Sequence, residues 1–168
     1  MQPKYEDQVK NALWNYVAGY TSSVNDILRN KKENKLTDDL DIAFSEYGEN
    51  DLTDFYRTVD WDYMKNIYGV TKENIDAYIG ETFLNRGYMS TSSEFISPWG
   101  SHWNEWELVM HIHGDTTYIN INNVFDASEI DCEEQKELLL PRNTILKLES
   151  YSIMKNAEKT YLLEMIII

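Results

Sequence analysis

The chain has 168 residues, 42% of them apolar and 26% charged, a composition that is neither disordered nor fibrous and that suits one folded domain. Its 15 Lys and Arg against 29 Asp and Glu leave a formal net charge of −14, which argues against nucleic-acid partners. The single cysteine, Cys132, excludes an internal disulfide and a cysteine-based zinc site. There is no apolar run of the roughly 18 residues that span a membrane, and no signal-peptide pattern. We therefore expect one soluble, monomeric domain over residues 1–168, without a membrane partner.

The first half of the chain has helical periodicity. Apolar residues recur three and four positions apart in two stretches: Val9, Ala12, Leu13, Tyr16 and Val17, then Leu36, Leu40, Ala43, Phe44 and Tyr47. Thr37 or Asp38 is suited to cap the second helix, and Gly48 is suited to end it. Shorter helices are predicted over residues 20–29 and 63–68 and after Thr71.

The second half has the alternating period of strands. Runs of β-branched and aromatic residues predict strands at 52–59, 106–112, 117–121, 138–140, 145–148 and 161–168, with a turn at Gly114. Helices first and strands afterwards predict an α+β domain rather than alternating βαβ units. The acidic stretch 126–134 lacks a period, and we expect an exposed loop there.

Three segments place polar residues in strand-like sequence. They are Asp-Phe-Tyr-Arg-Thr-Val at 54–59, Arg-Gly-Tyr-Met-Ser-Thr-Ser at 86–92 and Glu-Glu-Gln-Lys-Glu-Leu-Leu-Leu-Pro-Arg at 133–142. Each alone has an ordinary interpretation: an arginine on a surface, a Ser/Thr strand edge, and a solvated acidic loop. Their order and combination favour a common site.

In this order the segments resemble the R-S-E class of mono-ADP-ribosyltransferases, especially the small bacterial exoenzymes that modify Rho-type GTPases. That family has an aromatic-Arg segment, then a Gly-aromatic-x-Ser-Thr-Ser strand, then a Gln- or Glu-x-Glu motif that leads into Leu-Leu-Pro-Arg. Segment 24–29 also resembles the family's Ile-Asn-x-x-Leu-Arg helix, so the resemblance extends from about residue 8 to the C-terminus.

The resemblance implies N-terminal helices followed by two packed, mostly antiparallel β-sheets, with NAD bound as substrate in the cleft between them. Arg57 would hold the NAD pyrophosphate, because a guanidinium offers paired donors that match phosphate oxygens. Asn25 and Arg29 match family positions that also reach the phosphates. Thr91 would help to wall the nicotinamide pocket.

The resemblance also implies the catalytic roles. Glu137 would stabilise the positive charge that develops on the ribose, and Ser90 would hydrogen-bond Glu137 and fix its rotamer. Trp99 and Trp103 would supply an aromatic face in the NAD-binding loop. Gln135 would select the acceptor; in the family a Gln here goes with asparagine or another neutral side chain, whereas a Glu goes with arginine. Because Glu137 follows a predicted exposed loop, we expect its removal to leave thermal stability nearly unchanged.

The expected function is NAD-dependent transfer of ADP-ribose to a protein, with release of nicotinamide, by a toxin or effector that is secreted or delivered into a host-cell cytoplasm. The target is unidentified, and a small GTPase is one candidate. An NAD glycohydrolase on the same scaffold, with water as acceptor, is the closest alternative. The Trp-rich stretch 99–106 could instead form a binding module, and the glutamates between 129 and 137 could be the paired carboxylates of a glycosidase.

A metal site is a further alternative. His111 and His113 alternate on a predicted strand and therefore share a face. Zinc normally needs three or four protein ligands, and His102 with nearby acids would have to complete the set. We therefore expect both rings to lie on a half-exposed sheet face, and the expected transfer requires no metal.

Overall fold

The computed structural model describes residues 7–20, 25, 28, 35–94, 106–126, 129, 136–155 and 159–168. Its helices are α1 (Gln8–Asn15, continued by a π-helical turn, Tyr16–Tyr20), α2 (Lys35–Tyr47), α3 (Trp61–Tyr68) and α4 (Ile121–Val124), with a 3-10 turn at Ile75–Tyr78. Its strands are β1 (Asp54–Val59), β2 (Thr82–Asn85), β3 (Met89–Ser92), β4 (Leu108–His113), β5 (Ile119–Asn120), β6 (Glu137–Leu140), β7 (Thr144–Ile153) and β8 (Tyr161–Ile167). None of the helices in the described part of the chain is long and apolar enough to cross a membrane.

Capping residues set the limits of two helices. The Asp7 side chain accepts two backbone N–H groups of the first turn of α1, and the Asp60 side chain accepts one at the start of α3. Gly69, with φ of 71°, ends α3 in the left-handed conformation that glycine adopts without strain. The helices predicted over 9–17 and 63–68 are confirmed.

Helix α2 begins earlier than the sequence predicted. Lys35 is its first residue, so neither Thr37 nor Asp38 is the cap, and Thr37 is fully buried inside the first turn. Its predicted end is confirmed, because Gly48 follows directly after the last helical residue. The helix predicted over 20–29 lies outside the described residues, apart from Tyr20, Asn25 and Leu28.

The strands form one hydrogen-bonded sheet in the order β2-β7-β8-β4-β1-β3-β6-β5. All neighbours are antiparallel except β4 and β8, which are parallel. Helices followed by a mostly antiparallel sheet confirm the predicted α+β fold. One strand prediction was wrong: Ile121 begins α4 instead of extending the strand, because the Asn120 side chain accepts a backbone N–H and caps a helical turn there.

The sheet has a narrow junction between β1 and β3. These strands share the single pair Tyr56–Ser92, whereas β1 and β4 share six pairs. The junction divides the sheet into a five-strand part (β2, β7, β8, β4 and β1) and a three-strand part (β3, β6 and β5). The two sheets implied by the resemblance are therefore two parts of one hydrogen-bonded sheet.

Strand β6 separates two hydrophobic clusters. Leu138 and Leu140 belong to the cluster that covers the five-strand part, and Leu139 belongs to the cluster that contains α1 and α2. All four residues of β6 are buried, as expected of a strand that is covered on both faces. Glu137, the first residue of β6, is therefore held by rigid surroundings.

Candidate active site

Three polar side chains meet where β1, β3 and β6 are adjacent. Nη1 of Arg57 donates to the backbone carbonyl of Ser90 at 2.8 Å, and Oγ of Ser90 donates to Oε1 of Glu137 at 2.6 Å. The three residues lie 33 and 47 positions apart in the sequence. The fold thus brings together the Arg, Ser and Glu that the sequence singled out.

Strand register explains the hydrogen bond between Ser90 and Glu137. In the antiparallel pair of β3 and β6, Ser92 lies opposite Glu137, and Ser90 lies opposite Leu139. Ser90 and Glu137 are therefore diagonal neighbours on one face, a separation that polar side chains can bridge. The bond fixes the carboxylate within the sheet.

Glu137 is buried, with 6% of its surface exposed. Burial raises the pKa of its carboxyl above the ordinary value of 4.5, while the Ser90 hydrogen bond and the positive charge of Arg57 oppose this rise. The expectation of an exposed loop carboxylate was wrong, because Glu137 pairs with Ser92 as the first residue of β6.

Arg57 has an unused donor at the site. Its Nε is buried and has no hydrogen-bond partner among the residues that the structure describes. The guanidinium carbon lies 5.2 Å from the centroid of the Tyr63 ring, a distance at which a cation is attracted to an aromatic face. A buried N–H without a partner is costly, so this side chain is suited to an added anion.

The Asn25 side chain holds the backbone of Tyr88, the residue just before β3. Its side-chain amide donates to the Tyr16 hydroxyl and to the Tyr88 carbonyl, and its Oδ1 accepts the Tyr88 backbone N–H at 2.8 Å. Both amide N–H groups and the carbonyl oxygen are therefore used inside the protein. These contacts hold the backbone that leads into β3, and the phosphate contact that the resemblance implied stays a prediction.

The Thr91 side chain makes its hydrogen bond within the sheet. It is fully buried, and its hydroxyl donates to the Leu138 carbonyl at 2.6 Å. Because consecutive strand residues face opposite sides, Thr91 projects away from the face that carries Ser90 and Glu137. Its contacts hold β3 against β6. Four other candidates, Arg29, Trp99, Trp103 and Gln135, lie outside the described residues.

An ion pair that was not predicted from the sequence supports the same strands. Nε of Arg142 donates to both carboxylate oxygens of Asp41, at 3.1 Å to Oδ1 and 2.9 Å to Oδ2, and Nη2 donates to Oδ2 at 2.6 Å. The Tyr88 hydroxyl donates to Asp41 at 2.7 Å, and burial together with this hydrogen bond raises the pKa of Tyr88. The only sequence signal was Arg142 at the end of the Leu-Leu-Leu-Pro-Arg motif.

A family model for ADP-ribosyltransferase exoenzymes matches residues 2–167. No curated protein sequence matches the chain. Among solved structures, the C3 exoenzyme of Clostridium limosum is similar, with 20% identity and a TM-score of 0.73 over 98% of this chain and 87% of that one. C3stau2 from S. aureus, solved with NAD, has 21% identity and a TM-score of 0.73 over 98% and 88%. Plx2a, an ADP-ribosyltransferase toxin from Paenibacillus larvae, has 18% identity and a TM-score of 0.72 over 96% and 86%.

Proposed function

Because the chain belongs to the ADP-ribosyltransferase exoenzyme family, we propose that it cleaves NAD and transfers the ADP-ribose to a protein side chain. The bond between the ribose and nicotinamide breaks, and its electron pair leaves with nicotinamide. A nucleophilic atom of the acceptor then bonds to the ribose carbon and loses a proton. The protein is an ADP-ribosyltransferase of the toxin-like exoenzyme class.

The observation that carries the proposal is the buried carboxylate of Glu137, fixed by Ser90 and near the charge of Arg57. Loss of nicotinamide leaves positive charge on the ribose, as in the oxocarbenium-like transition state of glycoside cleavage. A negative charge held in a dry, rigid site stabilises that charge more strongly than one in water. We assign this role to Glu137 and the orienting role to Ser90.

Arg57 is assigned to the NAD pyrophosphate. Its buried Nε lacks a partner among the described residues, and a phosphate oxygen would supply one. The site is therefore suited to an anionic substrate even though the whole chain carries a net charge of −14. Asn25 is assigned to holding the Gly87–Tyr88 backbone that leads into β3.

Gln135 is assigned to the choice of acceptor. It lies two residues before Glu137, and an amide both donates and accepts, so it can pair with the amide of an asparagine. A neutral acceptor such as asparagine is therefore favoured over arginine. We further propose that the target is a protein of a host cell, with a small GTPase as the first candidate to assay.

The test is nicotinamide release from NAD by the purified protein, with and without a cell lysate, and with labelled NAD to detect modified proteins. Glu137→Gln is compared with Glu149→Gln, which changes an exposed glutamate on β7. Release and protein labelling that depend on Glu137 support the proposal. Release without labelling would identify a glycohydrolase, and no release under either condition would contradict the assignment.

A further inference from the structure

Two histidines and an aspartate converge on the sheet away from the proposed NAD site. In the pairing of β1 with β4, Asp54 lies opposite His113 and Tyr56 lies opposite His111. Oδ1 of Asp54 lies 2.7 Å from Nε2 of His111 and 3.0 Å from Nδ1 of His113. The three atoms all lie within 4.8 Å of one another, so one oxygen and two imidazole nitrogens converge on a common point.

The His111 ring is held in place from two further sides. Its Nδ1 lies 2.7 Å from Oε2 of Glu164, which is its register partner on the parallel strand β8. The Tyr56 ring stacks on it, with 4.8 Å between the ring centroids and 11° between the planes. A carboxylate on the second ring nitrogen is the usual support of a metal-bound histidine, because it fixes the tautomer and makes the ligating nitrogen more basic.

We propose that Asp54, His111 and His113 bind one Zn²⁺ ion, with Glu164 as the supporting carboxylate and solvent in the remaining position. Imidazole nitrogen and carboxylate oxygen are both zinc ligands, and a site with three protein ligands leaves one position open. Mg²⁺ and Ca²⁺ prefer sites made of oxygen alone. In the metal-free protein, protons hold the same atoms together as hydrogen bonds, and the ion takes their place.

Zinc binding requires two adjustments of the geometry. Tetrahedral bonds of about 2.0 to 2.2 Å place ligand atoms about 3.3 to 3.5 Å apart, so Oδ1 of Asp54 must move outward by about half an ångström. The two imidazole nitrogens, which lie up to 4.8 Å apart, must approach each other by up to about 1.3 Å. The side chain of Asp54 is 46% exposed and that of His113 is 55% exposed, so both have room to move. His111 is more enclosed, at 22%, and anchors the site.

The proposed zinc ligands are separate from the residues assigned to NAD. Asp54 and Tyr56 alternate with Arg57 along β1, so their side chains leave the face opposite that of Arg57. Ser90 and Glu137 lie on β3 and β6, whereas the zinc ligands lie on β1 and β4. The ion would join β1 to β4, and the contact of His111 with Glu164 would extend that link to β8. Its role is to stabilise the five-strand part of the sheet, and the transfer chemistry does not require it.

The test is Zn²⁺ binding by the whole chain after removal of metals with a chelator, measured by calorimetry with zinc chloride. We expect one ion per chain, and Co²⁺ in the same site should give the visible absorption of tetrahedral coordination. His111→Ala and His113→Ala should each weaken binding more than about 100-fold, and Glu164→Gln about 10- to 100-fold. Mg²⁺ should not bind at the same concentration.

His102→Ala is the matched control, since His102 is the one remaining histidine of the chain. It should bind Zn²⁺ as the unaltered protein does, and Zn²⁺ should raise the thermal midpoint of both but not of His113→Ala. Because His113 is more than half exposed, that variant should fold without metal, which its midpoint in chelator checks. Equal zinc affinity in all variants, or loss of binding in His102→Ala alone, would overturn the proposal.

Discussion

Replacement of Glu137 by glutamine separates its electrostatic role from its structural one. The amide has nearly the same shape, and its oxygen can still accept the Ser90 hydrogen bond that Oε1 accepts at 2.6 Å. The variant therefore loses the negative charge and keeps the packing. Loss of one preorganised group that stabilises transition-state charge costs about 100- to 1,000-fold in turnover, or about 3 to 4 kcal/mol. We expect nicotinamide release to fall by that factor.

The stability of Glu137→Gln should move in the opposite direction. Burial raises the folded-state pKa of Glu137, so below the ordinary pKa of 4.5 the carboxyl is protonated in both states and no penalty exists. As the pH rises through the window between 4.5 and the raised value, the unfolded chain ionises first and the folded state loses stability. Glutamine removes this loss. The variant should therefore match the native protein near pH 4 and be more stable at pH 8.

Thermal unfolding of both proteins from pH 4 to pH 8, beside nicotinamide release, checks both halves of the reasoning. Glu137→Ala is the contrasting variant near pH 4, where the native carboxyl carries no charge penalty, because it leaves the buried Ser90 hydroxyl without its acceptor at a cost of about 1 to 3 kcal/mol. In a protein of this size that lowers the midpoint by about 2 to 12 °C. Retention of more than about a tenth of turnover by Glu137→Gln, or a lower midpoint than native at pH 8, would refute the argument.

Three other variants test the neighbouring assignments. Ser90→Ala should lower nicotinamide release about 10-fold or more. It should also move the acidic limb of the pH–rate profile to higher pH, because the lost hydrogen bond had lowered the pKa of Glu137. An acidic limb at the native pH would show that Ser90 does not act through the Glu137 carboxylate. Gly87→Ala should lower the denaturant midpoint, because the added Cβ would lie 2.6 Å from Oδ1 of Asn25. A midpoint equal to that of the native protein would show that the Asn25 side chain can move away without cost. Gln135→Glu should change which proteins are labelled while nicotinamide release without lysate stays within about threefold; equal loss of both would place Gln135 at the NAD site.

Local sequence signals predicted the elements better than their partners. The Leu-Leu-Leu run at 138–140 predicted strand β6, and the alternation at 106–112 predicted β4. Whether Glu137 belonged to the strand or to the loop before it depended on its pairing with Ser92, which is distant in sequence and leaves no local trace. Its burial was therefore mispredicted from the acidic residues that precede it.

Side-chain contacts between strands could not be predicted from the sequence for the same reason. The period of two along β3 separates Thr91 from Ser90, but the family resemblance had placed both at the NAD site. His111 was visible as half of a pair with His113, whereas its contacts with Asp54 and Glu164 depend on strand neighbours 57 and 53 positions away. The residue types indicated that a metal site was one alternative at these histidines. The strand register shows which carboxylates lie beside His111.

Because β1 and β3 share only the pair Tyr56–Ser92, we expect this junction to act as a hinge between the two parts of the sheet. Arg57 lies on one side of it, and Ser90 and Glu137 lie on the other, so the gap between the phosphate-binding and charge-stabilising groups follows the angle of the hinge. A dinucleotide held by both sides restrains that angle. Amide exchange at Tyr56 and Ser92 should then slow when substrate binds, which would make these two backbone groups a direct gauge of how often the cleft opens.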